Sequence, residues 1–133
     1  MRLIKTNIVV KELVLKNKNL QGQFNIQHRI NLKTGKVNEK VYFSELSFEI
    51  CDIDNNKMPL DLSVIIIGQF EFENVGTEDE VNGFLSKQAV HILYPYLRSV
   101  VSGLTSLAML PPILIPIVDA HTLFSPKNDK KAM

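Results

Sequence analysis

The 133 residues contain no tryptophan, and cysteine occurs once, as Cys51. A lone cysteine closes no internal disulfide, which excludes a disulfide-framed secreted scaffold. Charge of one sign is also missing. The formal net charge is +1, so bulk electrostatics gives no pull toward nucleic acid or an anionic membrane. Residues 1–10 hold neither an uninterrupted apolar run nor a small-residue cleavage pattern, so no signal peptide is read and a cytoplasmic location is expected.

The chemistry of sites is equally sparse. His28, His91 and His121 are far apart, and no Cys/His pair has metal-ligand spacing. There is no G-x-S-x-G, no P-loop and no G-x-G-x-x-G. Cys51 has no nucleophile signature around it and reads as a small buried hydrophobe. Glu45, Glu49, Glu71 and Glu73 fall on polar strand faces, as solvated carboxylates do. The expectation is a protein that is not an enzyme, with no cofactor and no metal.

What is present is apolar patterning. Hydrophobic residues make up 45% and charged residues 22%, ordinary for a globular domain. The length suits one domain, expected over residues 1–124, with a polar, basic, disordered tail over 125–133. Residues 3–15 are rich in Ile, Val and Leu and read as a first strand. From Phe24 the alternation is clean: Phe24, Ile26, His28, Ile30 and Leu32 share one face of a second strand, and Thr34-Gly35-Lys36 reads as its turn. A third strand is expected over 41–53 and a fourth over 60–73, the latter apolar on both faces at its centre. Short polar turns between them argue for an antiparallel meander.

The period then changes. Thr77 followed by Glu80 fits a capping box, and Val81, Phe84, Leu85, Ile92 and Leu93 recur at helical spacing. Pro95 predicts a kink or break at Leu93 or Tyr94, with helix resuming from Tyr96 until Pro111-Pro112. Residues 99–118 carry no charge, a length that can span a bilayer, but Pro111, Pro112 and Pro116 break it. A buried helix followed by an extended apolar connector is expected instead. The fold class is α+β: a four-stranded antiparallel sheet with a long, Pro-kinked helix on one face. The apolar supply exceeds one small core, which implies subunit interfaces or a surface for apolar partners.

Particular segments carry a resemblance. Ile92-Leu93-Tyr94-Pro95-Tyr96-Leu97-Arg98 resembles the helix motif of the SecB export chaperones. Leu110-Pro111-Pro112, then Leu114-Ile115-Pro116-Ile117-Val118-Asp119, then Leu123-Phe124, resembles that family's proline-containing connector. Gly68-Gln69-Phe70-Glu71-Phe72 is similar to the end of its fourth strand. The resemblance covers residues 60–124. It implies a homotetramer built as a dimer of dimers with long helices at its centre. It also implies binding of non-native polypeptide in apolar grooves and delivery to a SecA-like motor. Two departures stand out. Pro126 follows Phe124 closely, so the family's closing lid helix is expected to be short or absent, and the tail is basic rather than acidic. Where the family's motor-docking face is acidic, this chain has Val64, Ile65, Ile66 and Ile67.

The function expected on these grounds is an ATP-independent holdase for non-native polypeptides, with protein export as its setting. The alternative is an adaptor of the same fold that binds one specific partner, for example an antitoxin. The residues expected to bind client are Ile65, Ile67, Ile113, Leu114, Ile115, Ile117 and Phe124. The face of Leu97, Val100, Val101, Leu104 and Leu107 is expected to form the subunit interface. No nucleic acid and no stable membrane insertion are expected.

Overall fold

The computed structural model describes residues 1–22, 24–54, 56–110 and 123. Four strands form one antiparallel sheet: β1 (Leu3–Asn17), β2 (Arg29–Lys36), β3 (Val41–Ile50) and β4 (Leu60–Phe72). The helical part runs from α1 (Glu78–Gly83) through a π-helical turn (Phe84–Gln88) into α2 (Ala89–Leu107). This is the α+β architecture expected, one long helix lying on a four-stranded sheet.

The strand order corrects the meander. It is β1-β4-β3-β2, so β1 crosses over the end of the sheet and pairs with β4, not with β2. The physical reason lies in β4. Its helix-facing residues Leu62, Val64, Ile66, Phe70 and Phe72 are essentially fully buried, and Ile65 and Ile67 point to the other side. A simple meander would leave this most apolar strand at an edge. The observed order puts it inside, flanked by β1 and β3.

The helix covers the face bearing Leu46, Phe48, Ile50, Val64 and Ile66, which pack with Val90, Leu93, Leu97 and Val101. Gly68 permits the approach: a Cβ there would lie 2.9 Å from the Phe70 ring and 3.0 Å from a Leu93 methyl. A second cluster, Phe70, Phe72, Val81, Phe84, Leu85 and Ala89, closes the N-terminal end of the helical run. Phe84 meets Phe70 and Phe72 edge-on, at 5.2 and 5.1 Å between ring centroids. The buried Ser44 on β3 donates its hydroxyl to the Leu85 carbonyl at 2.9 Å, tying the π-helical turn to the sheet.

Several local expectations change. The second strand starts at Arg29, and residues 24–28 are irregular. Thr34-Gly35-Lys36 lies within β2, and the turn falls at residues 37–40, where Asn38 Oδ1 accepts from the backbone N–H groups of Lys40 and Val41. Gly35 serves close packing, since a Cβ there would meet the Phe43 ring at 2.5 Å. The third strand ends at Ile50. No break occurs at Pro95: α2 runs continuously past it, with Pro95 on the solvent side of the helix. The helix stops at Leu107, before the two prolines.

Candidate binding site

The C-terminal end of α2 and the β1–β2 crossing build an open cavity. Leu110 N–H bonds to the Thr105 carbonyl at 3.0 Å, and Met109 N–H to the Ser106 carbonyl at 3.0 Å. This is a Schellman closure with Met109 in the left-handed position, φ 61°. Glycine is usual there, because a side chain costs roughly 1–2 kcal/mol in that region. The closure throws apolar surface outward: Leu107 is 83% and Met109 94% exposed.

Opposite this end, the crossing leaves β1 at Asn17. Lys18 pins its start. Its backbone N–H bonds to the Pro59 carbonyl at 3.1 Å, and its ammonium reaches Asp52 at 2.8 Å and Asp61 at 3.2 Å. Asp52 also accepts the Met58 N–H at 2.7 Å. The Lys18 ammonium, with the Met58 N–H second, holds the Asp52 carboxyl below the ordinary aspartate value; the Asp52 hydrogen bond in turn raises Lys18. Beyond the pin the chain turns through Asn19 (φ 56°), whose N–H bonds to Asn17 Oδ1 at 2.9 Å, and Gly22 (φ 122°).

Between these walls is an open groove of about 780 Å³, on the helix side of the sheet. Leu20, Phe24 and Ile26 line it from the crossing, Pro59 and Leu60 from below, and Thr105 and Leu110 from the helix. Asn17, Asn19 and Gln21 supply carboxamides, and none of the described lining residues is charged. Leu20 is 44% and Ile26 39% exposed, so this is apolar surface held open to water. Leu123 packs against the main core. A smaller groove of about 530 Å³ lies where α2 leaves β1 uncovered, between Ile8, Val10, Ile92, Tyr96 and Val100.

The expected site residues fall in three places. Ile65 and Ile67 are half-buried on the sheet face away from the helix, so the structure does not bring them to the groove. There, Lys11 reaches from β1 across β4 to Glu45 of β3 at 2.8 Å, laying its aliphatic stem over the aliphatic centre of that face. Ile113, Leu114, Ile115, Ile117 and Phe124 lie outside the described residues, as do the expected tail and lid region. Of the interface set, Leu97 and Val101 are 0% exposed against this chain's own sheet and have no surface left for another subunit. Val100 and Leu104 are half-buried at the margin, and Leu107 is open.

The crossing's share of the groove was missed from sequence, because residues 24–28 read as plain strand. The signal available was residues 19–28, ten in a row without a charge, with Leu20, Phe24 and Ile26 among amides. Among the described residues, no group of three or more His, Cys, Asp or Glu is placed to hold a metal ion, and no helix is long and apolar enough to cross a membrane.

Sheet, helix and groove define an α+β domain with open apolar surface among its described residues. The family model "Preprotein translocase subunit SecB" matches residues 4–131, and the chain belongs to the SecB family. Curated relatives agree. A protein-export protein SecB from Neisseria meningitidis serogroup C is 26% identical over 113 residues, 84% of this chain and 76% of the relative. The SecB of Orientia tsutsugamushi is 27% identical over 101 residues, 75% of this chain and 62% of the relative. Among solved structures, a SecB-like chaperone of Mycobacterium tuberculosis, in complex with a ChAD peptide from the HigA1 antitoxin, superposes with a TM-score of 0.59. It is 17% identical, with 88% of this chain and 83% of that chain covered, and so speaks for the fold. The family places the protein's role in chaperoning or protein export.

Proposed function

We propose that this protein is an ATP-independent holdase that takes exposed apolar segments of non-native polypeptides into the groove at the end of α2. The observation that carries this is the groove itself: about 780 Å³, open, with no charge among its described lining residues, and with Leu107 and Met109 exposed at the same end of the helix. Burial of client apolar area there is worth about 25 cal/mol per Å², which needs no nucleotide. The connector residues Ile113, Leu114, Ile115 and Ile117, with Phe124, are proposed to extend the client surface. Ile65 and Ile67 are proposed as a separate patch on the opposite sheet face, the face where a SecA-like motor would dock.

The working form is proposed to be a cytoplasmic homotetramer, a dimer of dimers. The half-buried margin of α2 at Val100 and Leu104, and the aliphatic β1, support association of copies. The test is light scattering from an unfolding client, with and without the protein. Leu107→Asp combined with Met109→Asp should abolish suppression of aggregation, and so should Ile115→Asp with Ile117→Asp, while light scattering of the eluting protein keeps the oligomer's mass. Full suppression by both double variants would remove the groove from the mechanism. Protection of one partner but of no generic client would select the adaptor reading, in which the partner is a single protein such as an antitoxin.

A further inference from the structure

The wall that the β1–β2 crossing lends to the groove is held by polar links rather than by packing. Leu20, Phe24 and Ile26 line the groove, yet none of them belongs to either core cluster. Among the described residues, the polar links from residues 18–28 to elements beyond β1 end on residues 52–61, the β3–β4 loop and the start of β4. At the start of the crossing, Lys18 gives its N–H to the Pro59 carbonyl and its ammonium to Asp52 and Asp61. Near its other end, Gln27 N–H meets the Met58 sulfur at 3.5 Å, and His28 stacks on Phe48 at 4.9 Å between ring centroids. One atom serves both polar attachments. Asp52 Oδ1 accepts the Lys18 ammonium at 2.8 Å and the Met58 N–H at 2.7 Å. Met58 is 2% exposed in the main core cluster, which makes it a fixed point. The loop between Asp52 and Met58 is tight as well, since Ile53 and Asn56 exchange main-chain hydrogen bonds at 3.1 and 2.8 Å.

We infer that Asp52 is a positioning residue: its carboxylate ties both ends of the crossing to the β3–β4 loop and so holds Leu20, Phe24 and Ile26 in place as a wall. The consequence for binding rests on the holdase reading. A wall that is already ordered loses little conformational freedom when a polypeptide lies against it, whereas a loose one must be ordered at the expense of affinity. Apolar packing could also hold the wall, but only by burying the side chains that the groove presents. A tie on the main chain and on Lys18 leaves those side chains open. The Asp52 side chain is 46% exposed, and an ion pair so open to water contributes little to overall stability. Its effect is therefore local, on the order of the crossing.

The test is nitrogen-15 relaxation of the full-length protein, read beside its affinity for labelled lactalbumin kept unfolded by reduction and alkylation. Asp52→Ala should lower the backbone order parameters near both Leu20 and Gln27, from the rigid value of about 0.85 to below about 0.6. It should also weaken binding of the unfolded probe at least about fivefold, with the denaturation midpoint nearly unchanged. Lys18→Met should loosen Leu20 but not Gln27. Lys18→Arg keeps a cation between the two aspartates and should keep wild-type order and affinity. Should Asp52→Ala fail to fold, Asp52→Asn takes its place. Its amide oxygen still accepts the Met58 N–H but carries no charge for Lys18, so it should behave as Lys18→Met does. Unchanged order parameters in the Asp52 variant would overturn the inference. Loosening confined to Leu20 in Asp52→Ala would overturn the joint role at both ends. Loosening at both ends with unchanged affinity would overturn the role in binding and leave the holdase reading standing. No binding of the probe by the unaltered protein, with order lost as expected, would overturn the holdase reading and leave the tie itself standing.

Discussion

The two ends of the helical run are closed by opposite means. At the N-terminal end, Thr77 Oγ1 accepts the Glu80 N–H at 3.2 Å and the Glu80 carboxylate accepts the Thr77 N–H at 3.2 Å. Behind that cap, Phe70, Phe72 and Phe84 interlock and leave almost no apolar surface to water. At the C-terminal end the closure holds Met109 in a left-handed conformation and exposes Leu107 beside an open groove. One end contributes stability, and the other keeps apolar surface available at some cost in stability. The contrast teaches that the two ends of the helical run divide the work: the open apolar surface sits where the helix stops, not where it starts.

Five changes would break or sharpen this contrast. The largest effect is expected from Phe72→Ala, which opens the N-terminal cluster and should cost about 3–5 kcal/mol in chemical denaturation. A loss below about 1 kcal/mol would mean that this end does not anchor the fold. Thr77→Ala removes the cap and should cost about 1 kcal/mol, with client protection per folded molecule unchanged. Met109→Gly relieves the left-handed position and should raise stability by about 1 kcal/mol while lowering aggregation suppression. If stability and protection rise together, the exposed methionine is not a binding group. Leu107→Ser should shift the denaturation midpoint by no more than about 0.5 kcal/mol yet weaken client binding measurably.

The smallest effect is a pH dependence. The Asp52 carboxyl is held below its ordinary value, so its contribution is present above pH about 4 and is lost as pH falls through the depressed value. Asp52→Asn should flatten that acid limb of the stability curve and speed amide exchange at Lys18 and Asn19. An unchanged acid limb would place the dependence on other carboxylates.

Much of the fold was legible in the sequence because the features concerned are local. The Thr77–Glu80 box and the alternation of Leu46, Phe48 and Ile50 need only neighbours in the chain to be read. The strand order was not legible, since pairing β1 with β4 is decided by which strand is most apolar on both flanks. The turn was misplaced because Gly35 resembles a turn glycine, whereas its lack of a side chain makes room for the Phe43 ring. The Pro95 break was over-read because its effect depends on which side of the helix faces water. The π-helical turn at Phe84–Gln88 leaves no sequence signal at all. As for the site, the apolar surplus was legible but its address was not: Ile65 and Ile67 are divided from the groove by the thickness of the sheet.

The crossover also sets an order of events during synthesis. The β1 strand leaves the ribosome first, but its partner β4 begins at Leu60 and ends at Phe72. At about 5–20 residues per second, the wait is several seconds. The β2-β3-β4 portion needs only short loop closures and should form first, with β1 docking last. Pulse-labelled amide exchange during refolding should therefore protect β3 and β4 before β1, and simultaneous protection would refute that order. Throughout the wait, β1 presents Ile4, Val9, Val10, Leu13 and Val14, side chains that stay at least 45% exposed even in the finished fold. For those seconds the nascent protein displays the same kind of apolar segment as the client proposed for its own groove.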